Sequence, residues 1–337
     1  MAQPKKYNVA IAGATGAVGQ EMLLTLERHK FPVDELKLLA SARSVGKEME
    51  FAGRKIAVEE LTKDSFAGVD FALFSAGASR SREFAQAAVD AGAIVIDNSS
   101  AFRMDPDVPL VVPEVNPEDT FQHKGIIANP NCTTIIMLVA LKPLHDISPI
   151  KRIIVSTYQS ASGAGAKAME ELTIQAEEVL AGKEPTKAVL PHQIAFNLFS
   201  HNSAIQENGY CQEEMKMVNE TRKMMHNPRI QICATTVRVP VLRAHAESIN
   251  IEQERHVSLK EAMAALENAP GLKVVHQPGE NYFPMPIDAT GKEEIFIGRV
   301  REDSSCKNGL AMFVCGDQLL KGAALNAVQI AEQLVNQ

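Results

Sequence analysis

Cys132 is the residue whose place in the sequence points most directly to covalent chemistry. It lies in the hexapeptide Asn129-Pro130-Asn131-Cys132-Thr133-Thr134, ahead of the apolar run 135–141. Asn131 is a good N-cap and Pro130 favours an extended entry, so a helix is predicted to begin at Cys132. A thiol in the first helical turn lies at the positive end of the peptide dipoles, which favours the nucleophilic thiolate. The alternative is a small, buried, apolar cysteine.

Arg238 and His245 are a second pair of residues that could do chemistry. They flank the segment 239–244, Val-Pro-Val-Leu-Arg-Ala, which could bring two strand ends to one cleft. Histidine titrates near neutral pH and suits a general base, although an isolated histidine is more often structural. We therefore favour His245 as the base of the site.

Three more polar residues have less distinctive patterns. Gln159 is predicted to end a strand before the small-residue turn 160–165, through which a cofactor or substrate could approach the backbone. A flexible loop is the alternative for this turn. Glu213 and Lys216 are three residues apart on one predicted helix face, a spacing typical of a surface ion pair.

A glycine turn near the N-terminus has the context of a dinucleotide site. A buried strand predicted over 7–12 runs into Gly13-Ala14-Thr15-Gly16-Ala17-Val18-Gly19, and a helical pattern follows. Glycines let the backbone approach a pyrophosphate, whose charge is stabilised by the N–H groups of the helix start. The spacing is GxxGxxG rather than GxGxxG, and a turn without a ligand is the alternative. We interpret the segment as a nucleotide-binding turn.

The second predicted strand, 36–40, ends in Ser41-Ala42-Arg43-Ser44. An NAD-specific site usually has an Asp or Glu at this point for the ribose hydroxyls, and this chain has none. The guanidinium of Arg43 with the hydroxyl of Ser44 suits a ribose 2′-phosphate, which favours NADP over NAD. A solvated loop arginine is the alternative. Arg103, which follows the polar segment 97–100, has the local sequence of an exposed loop charge.

The elements that must position these residues fall into two patterns. Over residues 1–131, buried strands at 69–74 and 93–97 alternate with helical segments such as 81–91, which predicts an α/β domain with a Rossmann-like, doubly wound sheet. The chain from 132 to 317 predicts an α+β domain with a mixed, largely antiparallel sheet. Its predicted strands are 152–158, 230–239, 246–253, 273–276 and 295–301, and its helices 166–180, 212–225 and 258–266. A final helix, 318–337, is expected to complete the first domain.

Composition excludes several classes of protein. The 337 residues, 45% hydrophobic and 22% charged, are typical of a globular protein of about two domains. A net charge of -7 without a long Lys/Arg run argues against nucleic acid as a partner. Five widely spaced cysteines without a CxxC pair argue against a zinc site, and we expect no metal. The apolar run 132–141 is too short to span a membrane, and Lys5-Lys6 precedes a predicted strand rather than a signal peptide, so a cytoplasmic protein is expected.

Seven blocks of the sequence, taken together and in order, resemble the aspartate-β-semialdehyde dehydrogenase family over nearly the whole chain. The blocks are GATGAVG, SARSVG, DNSSAFR, NPNCTT, STYQSASGAG, EEMK and RVPVLRAHAE. Several dehydrogenases share the glycine turn, whereas the joint occurrence of all the blocks is specific to this family. The resemblance implies reversible, NADP-linked conversion of L-aspartyl 4-phosphate into L-aspartate 4-semialdehyde and phosphate. That reaction is an early step toward lysine (through diaminopimelate), threonine, methionine and isoleucine.

The resemblance also implies roles for individual residues. Cys132 would form an acyl thioester, His245 would serve as acid and base, and Gln159 would position the acyl group. Matching substrate-binding positions are Arg238 for the α-carboxylate, Glu213 for the amino group, Arg103 and Lys216 for the phosphate, and Asn131. Matching cofactor-binding positions are Gly13, Thr15, Gly16, Ala17, Val18, Arg43, Ser44, Ser162, Gly163 and Gln318. Many relatives have Asn where this chain has Gln318, although both amides offer the same hydrogen bonds.

Two other functions stay open from the sequence. An enzyme of the N-acetylglutamyl-phosphate reductase type uses the same thioester chemistry on an acylated substrate without an ammonium charge, so Glu213 favours the aspartyl substrate. A non-catalytic NADP-binding sensor would need the glycine turn but not Cys132, Gln159, Arg238 and His245 together. The resemblance implies a homodimer formed through the sheet of the second domain. The remaining partners are small molecules, with neither nucleic acid nor membrane among them.

Overall fold

The computed structural model describes residues 5–336 of the chain. Among these, the residues up to Asn131 and those from Ala323 onward form one compact unit, and Cys132–Gly322 form a second. The predicted domain ranges also include residues 1–4 and 337, which lie outside the described residues. Within residues 5–336, no helix combines the length and the apolar character that crossing a bilayer requires.

The first unit contains a seven-stranded, doubly wound sheet. Its elements are β1 (Tyr7–Ala12), α1 (Ala17–Arg28), β2 (Val33–Ala40), β3 (Glu48–Phe51), β4 (Arg54–Glu60), β5 (Phe71–Phe74), α2 (Ala78–Asp90), β6 (Ile94–Asp97) and β7 (Ile126–Ala128). The strand order is β3-β4-β2-β1-β5-β6-β7, and every neighbouring pair is parallel except β3 with β4. The predicted Rossmann-like sheet is confirmed. The hairpin of β3 and β4 was not predicted from the sequence.

The second unit contains a mixed, seven-stranded sheet. Its elements are α3 (Cys132–Ile147), β8 (Ile150–Gln159), α4 (Ala166–Leu180), β9 (Phe199–Ser200), α5 (Gln212–Met224), β10 (Gln231–Arg238), β11 (His245–Gln253), α6 (Leu259–Glu267), β12 (Leu272–Val274), α7 (Pro286–Ala289), β13 (Ile295–Glu302) and β14 (Gly309–Gly316). The order is β12-β13-β14-β11-β8-β10-β9, with only β12–β13 and β8–β10 parallel. The predicted largely antiparallel sheet is confirmed.

The last helix begins later than the sequence pattern predicts. Leu320–Ala324 form a π-helical turn, and only then does α8 extend over Leu325–Val335. The predicted start at Gln318 is wrong because the carboxylate of Asp317 accepts the backbone N–H groups of Leu319 and Leu320, and Gln318 lies in the resulting turn.

The strand β1 separates two apolar cores of the first unit. Val9 and Ile11 pack with residues of α1 and α8 on one face of the sheet. Ala10 and Ala12 pack with residues of α2 on the other face. Because both faces are covered, this strand reads in the sequence as a nearly continuous apolar run instead of an alternating one.

The helix α3 provides much of the core of the second unit. Its residues 133–141 are each at most 1% exposed, and it packs against β8, β11, β13 and β14. The opposite side of the sheet is less covered where β8 pairs with β10. We call this surface the open face; it consists of Ile154, Ser156 and Tyr158 of β8 with their register partners Cys233, Thr235 and Val237 of β10. Ile154, Cys233 and Thr235 are exposed there.

Candidate active site

The glycine turn of the first unit has the geometry that a nucleotide-binding turn needs. Gly13 has a φ of 94°, and a Cβ at this position would lie 2.5 Å from the carbonyl oxygen of Ser75. A Cβ at Gly19 would lie 2.2 Å from the Gly13 oxygen, so α1 packs directly on the turn. The N-cap of α1 is Gly16, which offers no side-chain cap. The N–H groups of the helix start can therefore bind the oxygens of a phosphate.

Ser44 and Arg43 lie next to this turn. The Ser44 Oγ is 3.5 Å from the Thr15 Oγ1. Arg43 belongs to the same short 3₁₀ turn, Ala42–Ser44, and its side chain is exposed at the carboxyl end of β2. Ligands of open α/β sheets bind at that edge. A cation and two hydroxyls beside the turn, with no acid at the end of β2, fit a phosphorylated ribose.

Arg103 is a buried residue of the first unit rather than an exposed loop charge. Only 8% of it is exposed. Its Nε donates to the carbonyl oxygen of Asn129 at 2.9 Å, and its Nη2 donates to that of Asn98 at 2.9 Å. The exposed alternative that its local sequence favours is therefore wrong. Asn131 is likewise buried, with 5% exposure.

In the second unit, three of the expected site residues lie at neighbouring strand ends. Gln159 is the last residue of β8 and is the register partner of Arg238, the last residue of β10. His245 is the first residue of β11, which pairs antiparallel with β8 on its other side. All three are at most 3% exposed. The sheet thus brings residues that are distant in the sequence to one edge.

Cys132 is the first residue of α3, as predicted, and it is half-buried. The backbone of Gly322 comes so close that a Cβ there would lie 3.0 Å from the Cys132 Cβ. The Cys132 side chain also lies within electrostatic range of Arg238. Burial is the largest influence on Arg238 and lowers its pKa, whereas the charges of Glu213 and Cys132 act in the opposite direction.

His245 is fully buried, and one of its ring nitrogens has no protein partner. Burial lowers the pKa of His245 to about 3, and the charge of Arg238 acts in the same direction. Nδ1 accepts the backbone N–H of Ser160 at 3.0 Å and lies 2.9 Å from the Ser160 Oγ. Nε2 makes no hydrogen bond to any of the residues 5–336. A Cβ at Gly163 would lie 3.0 Å from this Nε2, so glycine keeps the space beside it open.

Arg238 is a buried cation with an unused N–H group. Its Nη1 donates to the carbonyl oxygen of Ser160 at 3.0 Å, and its Nη2 donates to the Nε2 of His201 at 2.9 Å. Its Nε has no partner in the described part of the chain. Guanidinium stays protonated in proteins, and a buried N–H group without an acceptor is unfavourable. The environment of Arg238 therefore suits an anionic ligand.

Glu213 and Lys216 form more than a surface ion pair. The Lys216 Nζ lies 2.8 Å from the Glu213 Oε2, but Glu213 itself is only 5% exposed. The Gln159 Nε2 lies 3.4 Å from the other carboxylate oxygen of Glu213. The carboxylate is thus directed toward the strand end that carries Gln159, and the surface alternative is wrong for Glu213.

Two functional groups have no signal in the sequence: the ring of His201 and the side chain of Ser160. His201 follows β9 and accepts the guanidinium N–H, and burial lowers its pKa to about 4. Ser160 contacts the His245 Nδ1 through its backbone N–H and its Oγ, and its carbonyl oxygen accepts a hydrogen bond from Arg238. Nothing in the local sequence distinguishes this histidine from the others. The turn that contains Ser160 was interpreted only as a close approach of the backbone.

Gln318 makes its hydrogen bonds inside the second unit. Its Oε1 accepts the backbone N–H of Ala244 at 3.0 Å, and its Nε2 donates to the Oγ of Ser162. The Ser162 Oγ is in turn 2.9 Å from the Ser160 Oγ. The contact of Ser162, Gly163 and Gln318 with a nicotinamide stays a prediction.

Two family models match this chain. Residues 8–123 match the model described as semialdehyde dehydrogenase, NAD binding domain, and residues 141–321 match the model described as semialdehyde dehydrogenase, dimerisation domain. Together with a doubly wound sheet, a nucleotide-binding turn and a strand edge that carries histidine, arginine and glutamine, these matches define an oxidoreductase of the semialdehyde dehydrogenase class.

Individual relatives identify the family within this class. An aspartate-semialdehyde dehydrogenase of Synechocystis sp. is 57% identical over 332 residues, covering 98% of each chain, and one of Aquifex aeolicus is 56% identical over 335 residues with the same coverage. The structure of aspartate semialdehyde dehydrogenase II from Vibrio cholerae, complexed with ASA, has a TM-score of 0.96 at 47% identity and covers 99% of each chain. The chain belongs to the aspartate-semialdehyde dehydrogenase family, and amino-acid biosynthesis follows from that membership. The predicted family is confirmed, whereas the cytoplasmic location stays a prediction.

Proposed function

We propose that this enzyme reduces L-aspartyl 4-phosphate with NADPH to L-aspartate 4-semialdehyde and phosphate, reversibly, through a thioester on Cys132. The observation that carries the proposal is the buried guanidinium of Arg238 with its unused Nε, at the strand edge that also holds Gln159 and His245. A buried cation of this kind suits the α-carboxylate of an amino-acid substrate.

Cys132 is the nucleophile in this proposal. Its thiolate, favoured by the N-terminal end of α3 and by the charge of Arg238, attacks the acyl carbon of the substrate. A C–S bond forms, the C–O bond to the phosphate group breaks, and inorganic phosphate leaves. When bound, NADPH supplies the hydride that converts the thioester into a thiohemiacetal. His245, the proposed acid–base group, acts at the thiohemiacetal oxygen through Nε2 while the C–S bond breaks, which releases the aldehyde and regenerates the thiolate.

The first unit has the residues to hold NADPH. The glycine turn and the start of α1 would bind the pyrophosphate, and Arg43 with Ser44 would bind the 2′-phosphate. The proposed cofactor contacts within the first unit are Gly13, Thr15, Gly16, Ala17, Val18, Arg43 and Ser44. The contact of Ser162, Gly163 and Gln318 with the nicotinamide stays a prediction. In this proposal, Arg43 distinguishes NADPH from NADH because only NADPH carries the 2′-phosphate that its guanidinium would bind.

Glu213 supports the aspartyl substrate over an N-acetylated one. A buried carboxylate beside Gln159 suits a free ammonium group, which an N-acetylglutamyl substrate lacks. Lys216 pairs with Glu213 and is proposed to bind the phosphate. Arg103 and Asn131 belong to the first unit, and their contact with the substrate stays a prediction.

The test is phosphate-dependent reduction of NADP⁺ with L-aspartate 4-semialdehyde as substrate. We expect turnover that needs phosphate and that Cys132→Ser lowers by at least about a thousandfold, because the serine hydroxyl is a far weaker nucleophile. Cys233→Ser, which changes an exposed cysteine of β10, is the matched control and keeps the wild-type rate. If the enzyme turned over N-acetylglutamate semialdehyde faster than L-aspartate 4-semialdehyde, the proposed substrate would be wrong. NADPH binding without any turnover would identify a sensor instead of an enzyme.

We also propose that the protein is a homodimer and acts in the synthesis of lysine through diaminopimelate, threonine, methionine and isoleucine. The second unit matches a dimerisation-domain model, and its open face exposes the apolar side chain of Ile154 beside Cys233 and Thr235. Burial of such a face against a second copy would remove apolar surface from water. A twofold axis would place the same residues of both copies in contact.

A further inference from the structure

A chain of side chains connects the amide of Gln318 to the ring of His245. It runs from the Gln318 Nε2 to the Ser162 Oγ, then to the Ser160 Oγ, and ends at the His245 Nδ1. Gln318 is 2% exposed and both serines are buried, so water does not compete for these hydrogen bonds. The chain therefore couples a residue after β14 to the proposed acid–base group.

The direction of every hydrogen bond in this chain is determined by its two ends. The backbone N–H of Ala244 can only donate, so the oxygen of the Gln318 amide faces it and the NH₂ group faces Ser162. Since the Ser162 Oγ accepts that N–H, its own proton is directed to the Ser160 Oγ. The Ser160 proton is then directed to the Nδ1 of His245.

His245 consequently receives two donors at one nitrogen. The backbone N–H of Ser160 also donates to Nδ1, at 3.0 Å. A nitrogen that accepts two hydrogen bonds carries no proton, and in a neutral imidazole the proton is then on the other nitrogen. That other nitrogen is the Nε2 next to Gly163, which has no partner among residues 5–336.

We propose that Gln318 is a positioning residue that holds His245 as the Nε2–H tautomer, so that the ring first meets the substrate as a hydrogen-bond donor and not as a base. The proposal rests on the proposed function for the identity of the reaction. To accept a proton at Nε2, the neutral ring would need its proton on Nδ1. Both serine hydroxyls would then have to reverse, and the Ser160 N–H would lose its acceptor.

This inference assigns the steps of the reaction to different groups. The Cys132 thiolate does not depend on His245 to remove its proton; the start of α3 and the charge of Arg238 favour it. The Nε2–H of His245 stabilises the oxygen that becomes negative when the thioester is reduced. The charged and titratable groups that act on the ring are Arg238 from β10, Glu213 from α5 and His201 after β9.

The experiment is ¹⁵N NMR of the histidine rings in the full-length protein at neutral pH, with His245→Asn used to assign the signal. We expect an unprotonated Nδ1 and a protonated Nε2. Gln318→Glu places an acceptor against Ser162 and reverses the hydroxyls, so the Ser160 Oγ offers a lone pair to Nδ1. Both ring shifts should then move toward a protonated Nδ1, and kcat should fall by about tenfold.

A second pair of variants keeps the test decisive if Gln318→Glu does not fold. Ser162→Ala interrupts the chain and should move the His245 shifts in the same direction by a smaller amount. Ser148→Ala removes another buried hydroxyl, which accepts the backbone N–H of Arg255 outside the chain, and should leave the shifts unchanged.

Two outcomes would overturn the inference. One is a wild-type ring with its proton on Nδ1, and the other is a set of wild-type ring shifts in both Gln318→Glu and Ser162→Ala. A raised KM for NADPH with unchanged ring shifts would assign Gln318 to the nicotinamide instead. Because the ring shifts do not depend on turnover, absence of aspartate-semialdehyde activity would count against the proposed function and leave the tautomer result standing.

Discussion

The Nη2 of Arg238 lies 2.9 Å from the Nε2 of His201, so a histidine accepts a hydrogen bond from the buried guanidinium. Arginine only donates, so the His201 Nε2 is the acceptor of this bond, and the Nδ1 of the same ring accepts the backbone N–H of Ser203 at 3.2 Å and lies 3.1 Å from the Ser203 Oγ. Burial lowers the pKa of His201 to about 4, which keeps the ring neutral near pH 7. Together with the carbonyl oxygen of Ser160, His201 fixes the orientation of the Arg238 side chain.

Replacing His201 should weaken substrate binding more than it slows the chemistry. In His201→Phe, Arg238 loses one of its two acceptors and its orientation, so the KM for L-aspartate 4-semialdehyde should rise by about tenfold, or about 1.4 kcal/mol. The value of kcat should stay within about twofold. Steady-state kinetics check this, with His256→Phe at an exposed position as the control. An unchanged KM would show that Arg238 does not need His201.

The pH dependence of stability should reveal the buried carboxyl of Glu247. This residue is fully buried, neither carboxyl oxygen has a partner among residues 5–336, and burial raises its pKa well above 4.5. In the unfolded chain, the Glu247 carboxyl loses its proton as the pH rises through the ordinary glutamate pKa. In the folded chain, the carboxyl keeps its proton to a higher pH. The free energy of unfolding therefore loses about 1.4 kcal/mol per pH unit from this group between its unfolded and folded pKa values.

Glu247→Gln removes that titration. Relative to the wild type, the variant should become progressively more stable as pH rises from roughly 5 to roughly 7, as measured by urea unfolding. The exposed change Glu280→Gln serves as the control. A stability difference between Glu247→Gln and wild type that is the same at both pH values would mean that Glu247 ionises normally.

Position 163 should not tolerate even a methyl group. A Cβ there would lie 3.0 Å from the Nε2 of His245 and 3.1 Å from the Nη1 of Arg238. In Gly163→Ala we expect kcat to fall by about thirtyfold, or about 2 kcal/mol, because both groups must move. Gly279→Ala is the matched control, since a Cβ at Gly279 meets no atom within 4 Å. Wild-type kcat in Gly163→Ala would contradict the close approach of this backbone to the two side chains.

Arg43 should control the choice between the two nicotinamide cofactors. Arg43→Ala removes the cation beside the glycine turn, so kcat/KM for NADPH should fall by about thirtyfold while that for NADH changes little. The ratio of the two values is the measurement, and Arg82→Ala on the exposed side of α2 is the control. Equal losses with both cofactors would place Arg43 away from the 2′-phosphate.

The open face of the second unit should carry the dimer contact. Ile154→Asp puts a charge into this face at β8, and the protein should become monomeric in sedimentation velocity experiments because the charge would be desolvated between two copies. Leu24→Asp, at a side chain of α1 that is 49% exposed, should leave the oligomeric state unchanged. A dimeric Ile154→Asp would move the interface to another surface.

Most of the fold could be predicted because its elements have local signals. The glycine turn between a buried strand and a helix predicted β1 and α1, and the alternating segments predicted β8, β10 and β11. The strand β14 was not predicted, and the reason is physical. Gly309–Gly316 is buried on nearly all positions of both faces, so its sequence shows no alternation that would mark a strand.

The candidate site could be predicted only where residues have a local pattern or a family resemblance. Cys132 has a helix-start signal, and Arg238 and His245 flank one proline-containing segment. The contacts of His201 with Arg238 and of Ser162 with Gln318 depend on how the strands are ordered in the sheet. No local pattern relates Ser162 to a glutamine 156 residues later.

That separation has a consequence for how the protein is made. The hydrogen-bonded chain that ends at His245 cannot close until Gln318 has joined the second unit, and Gln318 lies 156 residues after Ser162 in the sequence. During synthesis, the strands β8, β10 and β11 can pair earlier, but the ring of His245 still lacks the amide that orders its neighbouring hydroxyls. Cys132 is therefore synthesised well before the hydrogen bonds that orient the His245 ring can form, so the nucleophile and its hydrogen-bond donor are completed at different stages of folding.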